Sequence, residues 1–364
     1  MSYNIIILPA SGQNFVSQLA IMQHLCQINY KPDLMLGSSG GNLVAYISSA
    51  ADFQWAGIER IAKELRPEFF CKKWSSFGPI STLTGFFNGN AFDTGIGISD
   101  FLKQYFTKDT ITKYHIITGT YNKDLQKIRL FFNCSEKESI IKSDAIDYDL
   151  TEAMESMYMD GDFDLIATAG LASASIPGLV PPQVIDGYQY TDGASSINSP
   201  MTILQSALMK SLPSNNSNTS NTSNTSNNSN TSNNSNTSNT LHITYINCKD
   251  LSQAQIAPQH NLIDTWKQAV NDLIKSQTLI DRLAAHELLR SRSCGEMKKT
   301  VFDCHYQNLL KVDELRKRVK YTLLEIYPTI SADIDITNFT AQDIERNMKM
   351  IYNNCKCNLW YIED

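Results

Sequence analysis

Near the N-terminus the chain reads Asn4-Ile5-Ile6-Ile7-Leu8-Pro9, and a little later Pro32-Asp33-Leu34-Met35-Leu36-Gly37-Ser38-Ser39-Gly40-Gly41. The first run is short, β-branched and ended by proline, the composition of a buried strand. Between the two runs, positions 15, 16, 19, 21, 22, 25 and 26 are apolar, which is a helical spacing. Pro32 to Leu36 is a second short strand, and Asn42 to Ala51 reads as a second helix. Strand, helix, strand and helix within so short a stretch make a βαβ unit. The expected fold class is therefore α/β, with a central, mostly parallel sheet between layers of helices.

Working outward, residues 52–112 read as helical and aromatic-rich, interrupted by a Gly/Ser-containing loop from Trp74 to Gly97. His115 to Thr120 and Lys127 to Asn133 are strand-like, joined by the turn composition Tyr121-Asn122-Lys123-Asp124. Asp164 to Ala174 is a small-residue helix. Val184 to Gly193 is a hairpin around Asp186-Gly187, and Leu241 to Asn247 a buried strand. The periodicity predicts helices over 261–292, 305–327 and 340–354, so 250–364 is expected to be mainly helical and part of the same single domain as the rest of 1–364.

Ser214 to Thr240 are 27 consecutive residues drawn only from Ser, Asn and Thr. Such a tract is a solvated loop insertion, and it lengthens a surface connection at small cost because closure entropy grows only logarithmically. The remaining 337 residues suffice for one large α/β domain.

A net charge of −6, with no long basic run, argues against a nucleic-acid partner. Eight scattered cysteines without a CxxC pair read as buried, reduced thiols. Cys355-x-Cys357 has no histidine near it in sequence, which argues against zinc. Residues 1–30 carry no charged side chain, so no secretory n-region is visible, and no charge-free stretch is apolar enough to span a bilayer. A cytoplasmic protein with peripheral access to membranes is expected.

Gly37-Ser38-Ser39-Gly40-Gly41 fits G-x-S-x-G, and its strand–turn–helix setting is what a nucleophile elbow requires. Gly37 and Gly41 allow a tight turn, and Ser39 would stand at a helix N-terminus that favours developing negative charge. A bare glycine-rich βα turn is the competing reading. A serine nucleophile needs a base, yet none of His115, His242, His260, His286 and His305 sits in a convincing triad position. An aspartate acting directly has to be considered, with a histidine-triad hydrolase as the rival.

With these residues in view, the chain resembles the patatin-like phospholipase family, whose members use a Ser–Asp dyad. Asp192-Gly193-Ala194-Ser195-Ser196-Ile197-Asn198-Ser199-Pro200 is similar to the family's D-G-G/A block with its N-x-P continuation. Ala172 to Pro182 looks like the A-S-x-x-x-P block preceding it, and Asn338-Phe339-Thr340 resembles a common C-terminal motif. The resemblance implies a patatin-like three-layer sandwich with Ser39 as nucleophile and Asp192, 153 residues later, as base. It implies hydrolysis of phospholipid or other lipid esters at a transiently met membrane surface, of phospholipase A or lysophospholipase type. No cofactor and no metal are implied, and oligomeric state is left open.

One block departs from the family's pattern. Where members carry G-G-G-x-[RK]-G, this chain has Ala10-Ser11-Gly12-Gln13-Asn14-Phe15, and only Gly12 matches. An oxyanion hole from Gly12, Gln13 and Gly40 is expected, but residues other than glycine do not freely adopt positive φ. The alternative is a catalytically impaired relative acting as a lipid-binding or interaction module. Phe69-Phe70-Cys71-Lys72-Lys73-Trp74, with Phe77, Leu83, Phe86 and Phe87, reads as core aromatics with solvated lysines, or as an interfacial lid.

Overall fold

The structure is a computed structural model. It describes residues 2–70, 72–73, 92–93, 97–107, 110, 113–139, 141, 154–177, 180–195, 201, 204, 240–248, 279–288, 297–335 and 338–362. The strands are β1 (Ser2–Leu8), β2 (Leu34–Ser38), β3 (Lys72–Lys73), β4 (Phe92–Asp93), β5 (His115–Asn122), β6 (Lys127–Phe132) and β7 (Met154–Tyr158). They continue with β8 (Gln183–Ile185), β9 (Tyr188–Asp192), β10 (Thr240–Ile246), β11 (Lys298–Asp303), β12 (Tyr321–Pro328) and β13 (Cys355–Ile362). The helices are α1 (Phe15–Gln27), α2 (Gly40–Ala50), α3 (Trp55–Lys63), α4 (Pro67–Phe70), α5 (Gly97–Tyr105) and α6 (Phe163–Ser173). Helix α7 covers 279–288, followed by α8 (Tyr306–Arg316) and α9 (Ala341–Tyr352).

The main sheet runs β11-β13-β12-β10-β1-β2-β5-β6-β7, with β9 also paired to β5 and β8 to β9. Its centre is parallel: β12, β10, β1, β2 and β5 all point the same way. Ile5, Ile6, Ile7 and Leu8 are all fully buried because β1 lies mid-sheet with both faces covered. Ile6 and Leu8 join one core with residues of α1, α2, α3, α8 and α9. Ile5 and Ile7 join a second core on the opposite face with Met201, Leu204, Ala285 and Leu288. Strands from both sides of the Ser/Asn/Thr tract share this one sheet, and Thr240, the tract's last residue, begins β10.

The C-terminal part corrects the helical expectation. The helix expected over 305–327 ends at Arg316, and Tyr321–Pro328 is a strand in the sheet. Two further strands, β11 and β13, make the rest of that region's structure mixed. The periodicity misled because β12 is buried along nearly its whole length, so no polar face marks a two-residue repeat. Of the helix expected over 261–292, only 279–288 falls among described residues, and it is helical. The helix near 340–354 is α9, opened by a capping box between Thr340 and Asp343.

Candidate active site

Strand β5 is longer than its neighbour β2, and that difference builds the site. Its first five residues pair with β2, ending with Ser38 opposite Gly119. Its last three pair with β9, beginning with Asp192 opposite Thr120. β2 and β9 therefore occupy one edge of β5 and meet end to end, so that Ser39 leaves one strand where Asp192 closes the other. Gly193 follows at a place with no room for a side chain: a Cβ there would lie 2.4 Å from the Gly119 carbonyl oxygen and 3.0 Å from Ser38 Oγ.

Ser39 has φ 53° and ψ −130°, a region that residues other than glycine rarely occupy. Its backbone N–H donates to Ser173 Oγ at 3.0 Å, and the same hydroxyl donates to the Gly119 carbonyl at 2.7 Å. The glycines around it behave as the spacing predicts. A Cβ on Gly37 would come within 2.6 Å of Asn42 Cα, and one on Gly41 within 2.2 Å of the Leu8 carbonyl oxygen. The turn is thus clamped, and Gly40 opens the eleven-residue α2, whose first turn lies beside Ser39 with the Asn42 and Leu43 amides donating to the Ser39 carbonyl at 3.0 and 3.4 Å.

Asp192 is 2% exposed and Ser39 is 4% exposed. The carboxylate is held by the Ala194 amide, which donates to Oδ1 at 2.8 Å, and the Asp192 amide donates to the Ser175 carbonyl at 2.9 Å. Burial pushes the Asp192 carboxyl from 3.8 up to about 7, while the nearby Ser39 hydroxyl and the hydrogen-bonded Ala194 amide pull it the other way. A buried carboxyl with that value, at the strand end that meets a serine in a strained turn, can take up a proton near neutral pH.

In the first loop only Gly12 takes a positive φ, 52°, and it is the one glycine the loop keeps. Ser11 has φ −128° and Phe15 φ −53°, both ordinary for their side chains. The departures from the glycine-rich pattern therefore fall where no glycine is needed. Gln18 Nε2 anchors the loop's start by donating to the carbonyls of Pro9 and Ile246 at 3.0 and 3.1 Å. The loop abuts the elbow: a Cβ on Gly40 would meet Ser11 Oγ at 2.5 Å and the Gly12 carbonyl oxygen at 2.8 Å. Gly12 and Gly40 are thus neighbours, with Gln13 next along in the same short turn.

The histidines lie elsewhere. His115 and His242 sit near the starts of β5 and β10, at the opposite sheet end from Ser39. His286 packs edge-on against Trp360, His305 caps α8, and His260 lies outside the described residues. Phe70 packs against Phe15 and Phe339, and Phe69 against Phe101, as core aromatics do. Residues 74–91 of the lid reading lie outside the described residues, as do Ser196 to Pro200 of the aspartate block and Gly178.

One residue was not near Cys355 in sequence but is in space. His24 Nε2 lies 3.1 Å from Cys355 Sγ and 3.1 Å from the Tyr352 carbonyl. Among the described residues, no group of three or more His, Cys, Asp or Glu is arranged to hold a metal. Sequence reasoning also passed over Ser173 and Gly119 as parts of the elbow. Ser173 was visible as the serine of the A-S-x-x-x-P block, whereas nothing in sequence linked Gly119 to either motif.

The patatin family, described as patatin-like phospholipase, matches residues 8–204, more than half of the chain. The chain belongs to the patatin-like phospholipase family. The matched span runs from the end of β1 past the elbow and Asp192, so both meeting strand ends lie inside the family's domain. Among solved structures the chain is similar to VipD from Legionella pneumophila, at 9% identity and a TM-score of 0.34, over 97% of this chain and 67% of that one. The comparison with curated proteins finds no match. No helix among the described residues is long and apolar enough to cross a membrane.

Proposed function

We propose that this chain is a lipid acyl hydrolase of phospholipase A or lysophospholipase type, working through Ser39 and Asp192. The observation that carries the reading is the end-to-end meeting of β2 and β9, which brings a strained, clamped serine against a buried carboxylate. Ser39 Oγ attacks the ester carbonyl and its proton passes to the Asp192 carboxylate. The tetrahedral oxyanion is met by amides of Gly12, Gln13 and Gly40, where each donor is worth roughly 10²–10³ in rate. Collapse breaks the ester C–O bond, and the leaving alcohol takes the proton from Asp192. A water, deprotonated by Asp192, then hydrolyses the acyl-enzyme and restores Ser39. Exclusion of water strengthens each of these interactions, and an ester reaches Ser39 by displacing whatever covers the nearly closed dyad.

The substrate class follows from the family: a carboxylic ester of a membrane lipid, met at a membrane surface by a cytoplasmic protein of one domain. The test is fatty acid release from phosphatidylcholine and lysophosphatidylcholine vesicles by the full chain and by Ser39→Ala. The reading expects release by the former and none by the latter. No release by either, from folded protein, removes it.

A further inference from the structure

At the far end of the same parallel strands, where β1 and β10 begin and β12 is entered, lies a cavity of about 700 Å³. A strand of five to seven residues separates it from the dyad, a distance of roughly 17–23 Å. Its lining is unlike the chain as a whole, which carries a net charge of −6. Lys31, Arg316, Lys317, Arg318 and Lys320 contribute to it against Asp313 alone.

Arg316 is the centre of the cluster. It is 3% exposed, and among the described residues it has no carboxylate within ion-pair distance. Its guanidinium donates from Nη1 to Thr244 Oγ1 and from Nη2 to the Tyr30 hydroxyl, both at 3.1 Å, and lies 4.8 Å from the Tyr30 ring centre. Those partners are neutral, and a guanidinium has five N–H donors, so charge and donors exceed what the described residues supply. Asp313 does not supply the difference, since it pairs with Lys317 at 2.9 Å. His242, also lining the cavity, gives its Nδ1 to a hydrogen bond with Thr322 Oγ1 at 2.9 Å. Burial and the Arg316 charge hold it neutral, down to about 3, so its ring adds no compensating charge of either sign.

Burying a cation without an anion is costly, and native structures ordinarily pair it. We propose that this cavity binds a phosphate-type anion, with Arg316 at its base and Lys317, Arg318 and Lys320 at its rim. The planar fork of arginine matches phosphate oxygens, and a cavity of this volume admits a group larger than a single ion. The site stands on different residues from the dyad and is independent of the proposed activity.

The experiment uses the full chain carrying Ser39→Ala, so that no lipid is consumed. Calorimetric titration with inorganic pyrophosphate at constant ionic strength is expected to show saturable, one-site binding. Arg316→Met and the exposed pair Lys317→Ala/Arg318→Ala should each weaken it about tenfold or more. If Arg316→Met fails to fold, the exposed pair decides. Sedimentation with phosphatidylcholine vesicles, with and without phosphatidic acid, separates the sources. Phosphatidic-acid-dependent binding lost in the exposed pair assigns a lipid headgroup, and pyrophosphate binding alone assigns a soluble ligand. Absence of both, or equal affinity in the parent and the Lys317→Ala/Arg318→Ala pair, overturns the proposal.

Discussion

Replacing Asp192 by asparagine tests stability and chemistry in one variant, with opposite signs. The amide keeps the side chain's shape and the Oδ1 acceptor that the Ala194 amide uses at 2.8 Å. In the wild type, burial raises the carboxyl from 3.8 to about 7 in the folded state. The folded chain therefore holds this proton up to about pH 7, while the unfolded chain releases it near the ordinary value. Between those values stability falls as pH rises, and the full loss is at most about 4 kcal/mol above pH 7. Asp192→Asn has no charge to bury and escapes the loss. Urea unfolding at pH 8 should place it above the wild type by up to about 4 kcal/mol at unchanged m, and the advantage should vanish near pH 4. Ester turnover should move the other way, falling by about 10²–10⁴ with the base removed. In the wild type, kcat/KM should rise with pH and level off above about 7, the value set by Asp192. An Asp192→Asn protein whose advantage is the same at both pH values, or which keeps its turnover, would refute the reasoning.

Other perturbations probe the clamp around the elbow. Ser173→Ala removes the hydroxyl joining the Ser39 amide to the Gly119 carbonyl. It should cost about 1–3 kcal/mol in urea unfolding and slow acylation of Ser39 in a stopped fluorogenic-ester assay. Gly193→Ala drives a Cβ to 2.4 Å from the Gly119 carbonyl oxygen. Circular dichroism should show a fold weakened by about 1–3 kcal/mol, with turnover lost at temperatures where the fold persists, because Asp192 is displaced. Deleting Ser214 to Asn239 should change stability by less than about 1 kcal/mol and leave ester turnover intact, read by thermal melting and kinetics side by side.

Much of this site was legible because its parts are local. The elbow is a strand, a tight turn and a helix within consecutive residues, and glycine at 37 and 41 announces the close approaches measured there. Asp192 was legible through the block it opens. What pattern could not convey was why the two meet, since that depends on β5 outrunning β2 and taking β9 onto the same edge. The first loop looked degraded because glycine was missing at three positions, 10, 11 and 15; in space only Gly12 needs positive φ. The C-terminal strands were hidden for a different reason. β12 is buried on both faces, and its apolar residues continue the spacing of the helix before it. Arg316 fell at the end of that same helix, where a basic residue is an ordinary helix terminus until Tyr30, 286 positions away in sequence, is seen against it.

The central claim is that Ser39 is a nucleophile activated by Asp192. The most direct measurement is intact mass and peptide mapping after exposure to a fluorophosphonate at pH 8, on wild type, Ser39→Ala and Asp192→Asn. The account predicts one adduct, located on Ser39, absent in Ser39→Ala and formed far more slowly in Asp192→Asn. An adduct on another residue, or an undiminished rate in Asp192→Asn, would contradict it.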